Sequence, residues 1–296
     1  MAEVSSEGPG LTDCYSLGRD YAAATRLNGQ YYMWKETLGF DVHPDIPTAP
    51  SETPDQPPIQ IADVACGTAI WLRCVAQNLH HARLDGFDIS LAQCPPLQWL
   101  PQNIRSLREW DLYQEPPMEL RGRYDVVHAR LLFVVVRDGD PRPVIRNMMM
   151  LLKPGGYLQW DELDVAHSFI LKVKEDVPTI KMEETLQMLS QAGRWVAKLA
   201  EAMEQCGLVD ARISSFVEKT ELAKAFFDIN LTKDMETSET KLRGTADGEA
   251  LQRSVKLMHA ESEKGAVICT PKVVCIARAS EQSLQRVGNG PNPVAE

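Results

Sequence analysis

Short runs of consecutive apolar residues alternate with segments of helical spacing through the middle of this chain. The first run, residues 59–65, is rich in β-branched residues and follows Pro57-Pro58, so it predicts a buried strand. After Gly67, apolar residues recur at helical spacing as far as Leu79. A strand, a tight turn of small residues and a helix predict the first half of a nucleotide-binding βαβ unit.

The same alternation continues towards the C-terminus and predicts an α/β fold. Further strands are predicted at 84–88, 104–110, 124–130, 157–163, 213–217 and 267–277. The last segment is either one strand or a hairpin that turns at Thr270-Pro271. Helices are predicted at 144–152, 179–205 and 248–263. Residues 222–245 are mixed and polar, which indicates an insertion or a second lid element.

The turn after the first strand reads Ala65-Cys66-Gly67-Thr68-Ala69, a G-x-G-x-G pattern with both outer glycines replaced by alanine. The second strand ends at Asp88, 21 residues after Gly67. A carboxylate at this position can accept hydrogen bonds from both hydroxyls of a ribose. The alternative is an ordinary α/β unit that binds no ligand.

Polar residues also follow the later strands, at the edge where open α/β sheets bind their ligands. Trp110 and Asp111 offer a flat face and an acceptor for adenine, or else a turn aspartate. His128 ends the fourth strand and is either structural or catalytic. Asp161 and Glu162 end the fifth strand as solvated loop residues or as the rim of an active site.

The N-terminal region is organised differently. Residues 13–39 follow a broadly helical pattern that is interrupted at Asn28-Gly29, and they contain four tyrosines. This extension either packs against the edge of the sheet or forms a lid in which its aromatic residues and Arg19 or Arg26 close over a ligand. A proline-rich connector follows. We therefore predict an extension and connector at 1–58, one domain at 59–280 and a disordered tail at 281–296.

Composition excludes several classes of protein. The chain has 296 residues, 44% of them apolar, and a net charge of −10, which argues against a nucleic-acid groove. Its seven cysteines show neither a C-x-x-C pair nor histidines at zinc spacing, so no metal site is predicted. No apolar run is long enough to cross a membrane. The expected compartment is the cytoplasm.

Several stretches resemble the fungal secondary-metabolite methyltransferases related to the N-methyltransferase of the gliotoxin cluster. The shared stretches lie at 17–21, 34–40, 43–47, 62–72, 86–90, 99–101, 124–131 and 151–162. The most specific is Leu-Leu-Lys-Pro-Gly-Gly-Tyr-Leu-Gln-Trp, at residues 151–160. The resemblance implies a Rossmann-like, seven-stranded class I methyltransferase sheet. It would have helices on both faces, an antiparallel last strand and an N-terminal helical lid.

The resemblance also implies S-adenosylmethionine as the cofactor. The residues expected to bind it are Tyr15, Arg19, Asp63, Ala65, Cys66, Gly67, Thr68, Asp88, Ile89, Trp110, Asp111, His128 and Ala129. The two alanines of the turn depart from the family pattern, because each adds a methyl group where the cofactor passes. A negative φ at Ala65 and Ala69 would make the fit tolerable. A positive φ would weaken binding and leave a chain that binds a ligand without turning it over.

The expected catalytic residues are His128, which is the first choice as a base, together with Asp161 and Glu162; His167 is a further candidate. An apolar acceptor pocket is expected from Tyr31, Tyr32, Trp34, Phe133 and Trp160. The leading hypothesis is methyl transfer to nitrogen or oxygen of a small-molecule fungal natural product, by a monomer or a homodimer. The alternatives are a cyclase that uses the sulfonium charge without transfer, and a velvet-type regulator that is not an enzyme.

Overall fold

A computed structural model describes residues 17–49 and 57–280 of the chain, and its centre is a seven-stranded sheet. The strands of the described residues are β1 Gln60–Val64, β2 Arg83–Asp88, β3 Ile104–Glu109, β4 Tyr124–Arg130, β5 Leu152–Leu163, β6 Phe169–Lys172, β7 Val209–Phe216, β8 Ala266–Cys269 and β9 Lys272–Arg278. The large sheet has the order β3-β2-β1-β4-β5-β9-β7. Only β9 runs antiparallel to its neighbours in this sheet. This is the expected class I arrangement.

Helices cover both faces of the sheet, as predicted. They are α1 Tyr21–Leu38, α2 Ile70–Asn78, α3 Arg142–Leu151, α4 Ile180–Leu189, α5 Leu199–Gln205, α6 Thr220–Glu239 and α7 Ala246–Ser262. One hydrophobic core packs α3 and α5 against the sheet, and a second packs α1 and α2 against the opposite face. A third core joins α4, α6 and α7 to the small sheet of β6 and β8. Met148 and Met149 lie in the first core, as gap-filling residues.

Helix α1 is continuous through Asn28-Gly29, where an interruption was predicted. Its N-cap is Asp20, whose side chain accepts a hydrogen bond from the Ala23 N–H, and Gly39 ends it with a φ of 78°. Gly29 is tolerated inside the helix because tertiary packing outweighs the propensity cost of one glycine. Two buried aromatic residues, Tyr31 and Trp34, anchor the helix to the sheet.

The helix predicted at 179–205 is wrong, because the structure divides it into α4 and α5. The break contains Gly193 with a φ of 64°. A Cβ atom at this glycine would collide with the ring of Phe133. The left-handed turn therefore lets the chain pass close to Phe133, and Trp195 packs on the same ring with centroids 6.3 Å apart.

The C-terminal third differs from prediction in two further places. Residues 222–245, expected to be an insertion or a second lid element, contain most of the 20-residue helix α6, and Asn230 and Lys233 of this helix line the cavity described below. The buried residues of α6, Ala223, Phe226, Phe227 and Leu231, have helical spacing, but the many polar residues between them concealed the helix. The predicted strand 267–277 is two strands, and these form no hairpin, since β8 pairs with β6 while β9 pairs with β5 and β7.

Within the described ranges, none of the helices combines the length and the apolar character that a membrane span requires.

Candidate active site

A cavity of about 290 Å³ opens at the carboxyl ends of β1, β2, β3 and β4. It lies where the strand order reverses between β1 and β4, the usual position of a ligand in an open α/β sheet. Helix α1 covers the cavity with Arg26, Leu27, Gln30, Tyr31 and Trp34, which share one face of the helix. Asn230 and Lys233 of α6 complete the cover.

The two helices of the cover are joined by a carboxylate. Glu236 of α6 accepts a hydrogen bond from the Gly18 N–H at 2.7 Å and from the Arg26 Nε–H at 2.8 Å. The Arg26 side chain is only 4% exposed, so this ion pair is shielded from solvent. A second contact ties α1 to the floor of the cavity, because the Thr68 hydroxyl donates to the side chain of Asn28 at 2.7 Å.

The turn between β1 and α2 has a left-handed backbone at three of its five residues. The φ angles are 55° at Ala65, 55° at Gly67 and 56° at Ala69. Alanine would fit without strain only if φ were negative at both sites. Both Ala65 and Ala69 are therefore in a strained conformation. Ala65 lines the cavity, whereas Ala69 is fully buried behind the turn. A Cβ at Gly67 would enter the cavity 3.6 Å from Leu27.

Asp88 and the residues after β3 form one part of the cavity. The Asp88 carboxylate accepts hydrogen bonds from the Gly67 N–H at 2.8 Å and the Ser90 N–H at 3.1 Å, and each oxygen keeps a free lone pair. Burial raises the pKa of Asp88, and the two backbone donors oppose this shift. Trp110 and Asp111 lie on the adjacent wall. Together they present an acceptor pair and a flat ring to one ligand.

His128 lies at the centre of a buried network of charges. Its Nδ1 is 2.7 Å from Oδ1 of Asp63, and its Nε2 is 3.3 Å from Oδ2 of Asp161. Its ring stacks on Trp71 with centroids 3.7 Å apart and an angle of 3° between the planes. Burial disfavours the charged imidazole, but the bonds to Asp161 and Asp63 raise the pKa of His128. Because a carboxylate faces each ring nitrogen, this arrangement favours the imidazolium form of the ring.

Asp161 extends this network to Arg130. Its Oδ2 accepts bonds from Nε and Nη2 of Arg130 at 3.0 and 2.7 Å. Burial opposes the ionisation of Asp161, but Arg130 and His128 bring its pKa below the usual value. Its other oxygen accepts from Gln159, which also bonds to the backbone of Asp41. Asp161 therefore joins His128 and Arg130 into one buried polar network.

Glu162 is fully buried beneath the loop that follows β4. It accepts hydrogen bonds from the Leu163 N–H at 2.9 Å and from the Trp160 Nε1–H at 3.3 Å, and backbone N–H groups of Leu132 and Phe133 also point to it. Burial raises the pKa of Glu162 to about 8, so the carboxyl is largely protonated at neutral pH. It anchors the loop whose side chains line the cavity.

The structure brings most of the predicted site residues to one cavity. Those that line it are Arg19, Asp63, Ala65, Cys66, Gly67, Thr68, Asp88, Ile89, Trp110, Asp111, His128, Tyr31, Trp34 and Phe133. Five others lie elsewhere. Asp161 and Glu162 are buried behind the lining, Ala129 and Trp160 pack in the core, and Tyr32 is half exposed and bonded to Arg73. Tyr15 lies outside the described residues.

The cavity also contains residues that the sequence did not single out as site residues. These are Gln30, Gln93, Tyr113, Arg130, Leu131, Leu132, Val134, Val135, Arg137, Leu163, Val165, Leu189, Asn230 and Lys233, among others. The helical spacing of α1 could have identified Gln30, and the end of β4 could have identified Arg130. Within residues 17–49 and 57–280, no group of three or more His, Cys, Asp or Glu side chains is arranged to hold a metal ion.

Comparison with known proteins agrees with this geometry. Residues 62–158 match the family described as a methyltransferase domain. Methyltransferase grgD of Penicillium sp is 39% identical over 117 residues, which are 36% of this chain and 39% of grgD. N-methyltransferase gliN of Aspergillus fumigatus is 26% identical over 54% of each chain. Secondary metabolism regulator laeA of Coprinopsis cinerea is 33% identical over 34% of this chain and 24% of laeA.

Similarity to solved structures is low. Phosphoethanolamine N-methyltransferase 2 of Haemonchus contortus, in complex with S-adenosyl-L-methionine, is 14% identical. The alignment covers 86% of this chain and 53% of the Haemonchus contortus protein, with a TM-score of 0.47. The alignments to curated relatives cover from about a quarter to about half of each relative. Residues 62–158 therefore match a methyltransferase domain, the strand order is the one expected for a class I methyltransferase fold, and the chain is similar to fungal secondary-metabolite methyltransferases such as grgD and gliN.

Proposed function

We propose that this protein transfers a methyl group from S-adenosylmethionine to a nitrogen or oxygen atom of a small molecule. The observation that carries this proposal is a single cavity whose lining has two chemically different parts. The polar part has the turn at Gly67, the carboxylate of Asp88 and the Trp110-Asp111 pair. The aromatic part has Tyr31, Trp34 and Phe133. The first suits a polar nucleoside and the second suits an apolar acceptor.

The residues present fit S-adenosylmethionine. Asp88 keeps one free lone pair on each oxygen, which suits the two hydroxyls of a ribose. Gln93, which lines the same cavity, has a buried Nε2 without a hydrogen-bond partner in the described residues. That donor suits an acceptor atom of a nucleoside. The methyl group of Ala65 reduces the space above the turn, so we expect weaker binding than a glycine would give.

The protein would contribute mainly alignment. When bound, S-adenosylmethionine supplies an electrophilic methyl group on a positively charged sulfur. Holding an acceptor in line with such a group is worth about 7–11 kcal/mol when the geometry is tight. The charged network of Asp63, His128, Asp161 and Arg130 fixes the end of β4, and Glu162 fixes the loop that follows. These two anchors would hold the wall on which the acceptor rests.

His128 is better suited to positioning than to proton abstraction. Both of its ring nitrogens face carboxylates, so neither offers a free lone pair to a substrate. Asp161 is occupied by Arg130 and does not line the cavity. An acceptor that needs little help in losing a proton, such as an amine, agrees best with this arrangement. We therefore favour nitrogen over oxygen as the acceptor atom.

A cyclase that binds S-adenosylmethionine without transfer is the second candidate. The positive φ at Ala65 and Ala69 favours it, because a strained turn agrees with binding without turnover. Product mass separates the two, since cyclisation adds no methylene to the substrate. A regulatory role is the third candidate, and the local similarity to regulator laeA favours it. The enclosed cavity is an argument for a small-molecule enzyme instead.

Calorimetry with S-adenosylmethionine and S-adenosylhomocysteine tests the cofactor proposal. We expect the wild-type protein to bind both and Asp88→Ala to lose at least tenfold in affinity for both. Asp228→Ala, which removes an exposed carboxylate of α6, is the matched control and should bind like the wild type. Failure of the wild type to bind either ligand would exclude both the methyltransferase and the cyclase.

The partners of the protein remain predictions. A small-molecule substrate follows from the proposal, and the net charge of −10 argues against a nucleic-acid partner. A monomer or homodimer in the cytoplasm is the expected form.

A further inference from the structure

Four buried side-chain donors without a hydrogen-bond partner belong to residues that line one cavity. Within the described residues, these donors are Nη2 of Arg26, Nε1 of Trp34, Nε2 of Gln93 and Nη1 of Arg130. All four residues line the cavity. The other buried atoms without a partner are oxygens of Asp164, Glu218 and Ser262, and none of these three residues lines it. A ligand of this cavity is therefore expected to present oxygen or nitrogen acceptors.

Two of the donors lie together in the aromatic part. The guanidinium carbon of Arg130 is 4.9 Å from the centre of the Trp34 ring and 5.8 Å from that of Tyr31. Nε and Nη2 of Arg130 bond to Asp161, which fixes the plane of the guanidinium and leaves only Nη1 without a partner. Trp34 is fully buried, and its only polar atom is Nε1.

The charge balance around Arg130 selects the kind of acceptor group. Asp63 and Asp161 together match the charge of Arg130 and a proton on His128, so the cluster holds no excess positive charge. A bound carboxylate would leave this buried cluster with a net negative charge, which is costly away from water. A neutral carbonyl oxygen accepts the same hydrogen bonds and leaves the balance unchanged.

We infer that the acceptor substrate carries a neutral carbonyl group, and that Arg130 and Trp34 bind its oxygen. This inference rests on the proposed function, because it assigns the aromatic part of the cavity to the methyl acceptor. Arg130 and Trp34 would then select among small apolar molecules by the carbonyl group. A compound of the same shape that lacks the oxygen leaves both donors without a partner and is rejected.

Two matched fragments test the inference on the full chain saturated with S-adenosylhomocysteine. Oxindole and indoline share a bicyclic skeleton and differ in one carbonyl group. We expect the wild type to bind oxindole at least tenfold more tightly than indoline, as measured by calorimetry or ligand-observed NMR. Indole-2-carboxylate, which offers a charged oxygen, should bind more weakly than oxindole.

Two variants assign the selectivity to the named donors. Arg130→Lys keeps a charge beside Asp161 but loses the planar fork, and Trp34→Phe keeps an aromatic ring but loses Nε1. Each should reduce the preference for oxindole several-fold while S-adenosylhomocysteine still binds. Arg253→Lys, at an exposed arginine of α7 that does not line the cavity, is the matched control and should keep the preference.

Several results would overturn the inference. They are equal binding of oxindole and indoline, no binding of oxindole at millimolar concentration, tighter binding of indole-2-carboxylate, or an unchanged preference in both variants. If Arg130→Lys does not fold, the preference of Trp34→Phe for oxindole over indoline tests the inference. If the wild type does not bind S-adenosylhomocysteine, the proposed function is refuted instead. The comparison of oxindole with indoline in the absence of cofactor would then still test Arg130 and Trp34 as donors.

Discussion

Nδ1 of His128 lies 2.7 Å from Oδ1 of Asp63, and the two residues are register partners on the adjacent strands β4 and β1. The pair is buried, and Asp161 faces the other nitrogen of the same ring. Because carboxylates flank both nitrogens, the imidazole binds a proton more tightly than usual. Any chemistry at this position therefore starts from a charged ring.

The first prediction is that His128 remains an imidazolium at pH values where an ordinary histidine is neutral. Its folded pKa is raised, so its contribution to stability is present at low pH and is lost as pH rises through that pKa. Asp63→Asn should lower the pKa of His128 and destabilise the fold by about 3 kcal/mol or more, because it leaves a buried charge with one partner fewer. NMR titration of the imidazole Cε1–H signal measures the pKa, and chemical denaturation measures the change in stability.

His259, an exposed residue of α7, provides an internal control, since Asp63→Asn should leave its NMR signal unchanged. A wild-type His128 that titrates at or below the usual histidine pKa would contradict the prediction and restore it as a candidate base.

The second prediction concerns Glu162 and the pH dependence of stability. Burial raises the pKa of this carboxyl from 4.5 to about 8, so between these values the folded chain holds a proton that the unfolded chain has released. The free energy of unfolding should therefore fall as pH rises across this window. At about 1.4 kcal/mol per pH unit, the fall has an upper limit on the order of 5 kcal/mol.

Chemical denaturation of the wild type and of Glu162→Gln at several pH values measures this contribution. The variant cannot ionise at this position, so its stability should fall less with rising pH, and the difference between the two proteins should change steadily from pH 5 to 8. Glu249→Gln, at an exposed carboxylate of α7, is the control and should follow the wild type. Parallel profiles for the wild type and Glu162→Gln would show that Glu162 is ionised in the folded chain.

The features that were predictable from the sequence are local ones. The strand before Gly67, the helix after it and the carboxylate of Asp88 follow from patterns within about thirty residues, since a single βαβ unit contains them. The pairing of Asp63 with His128 needs one more step, the alignment of β1 beside β4. Once the class I strand order is assumed, these two residues become neighbours.

Other parts of the site depend on packing that no local pattern contains. Whether His128 faces a substrate or two carboxylates is decided by Asp161, which is brought beside Arg130 by the register of β4 and β5. The cover from α6 depends on Glu236 meeting Arg26, 210 residues earlier in the chain. Single-sequence patterns identify such residues as polar, but they do not say which distant partner each one finds.

The third prediction concerns the two alanines of the turn. Alanine in the left-handed region costs about 1–2 kcal/mol. Glycine removes this strain but adds freedom to the unfolded chain, so Ala65→Gly should stabilise the fold by about 0.5 kcal/mol or slightly more. The same change at Ala69 also removes a fully buried methyl group, so it should be close to neutral.

The two substitutions should differ more in ligand binding than in stability. Ala65 lines the cavity and Ala69 does not, so only Ala65→Gly removes a methyl group from the path of the cofactor. We expect Ala65→Gly to bind S-adenosylmethionine several-fold more tightly and Ala69→Gly to bind like the wild type, as measured by calorimetry. Equal affinity in all three proteins would mean that the methyl group of Ala65 does not obstruct the ligand.

The last prediction is that Glu236 keeps the cover closed. It joins α6 to α1 through the Arg26 Nε–H and the Gly18 N–H, and Arg26 has almost no contact with solvent. Glu236→Ala would leave the guanidinium buried without its counter-charge, at a cost on the order of 3 kcal/mol. That cost is relieved if α1 moves away from α6 and lets water reach Arg26.

We therefore expect Glu236→Ala to release S-adenosylhomocysteine faster, with an increased dissociation rate in stopped-flow experiments and faster amide hydrogen exchange in α1. Lys224→Ala removes an exposed ion pair with Asp228 on the same helix, where such pairs contribute only about 0.3–0.5 kcal/mol, so it is the matched control. Because the control leaves the contact between α1 and α6 intact, it should change neither rate. Faster exchange in α1 without faster ligand release would show that the helix opens but does not gate the cavity.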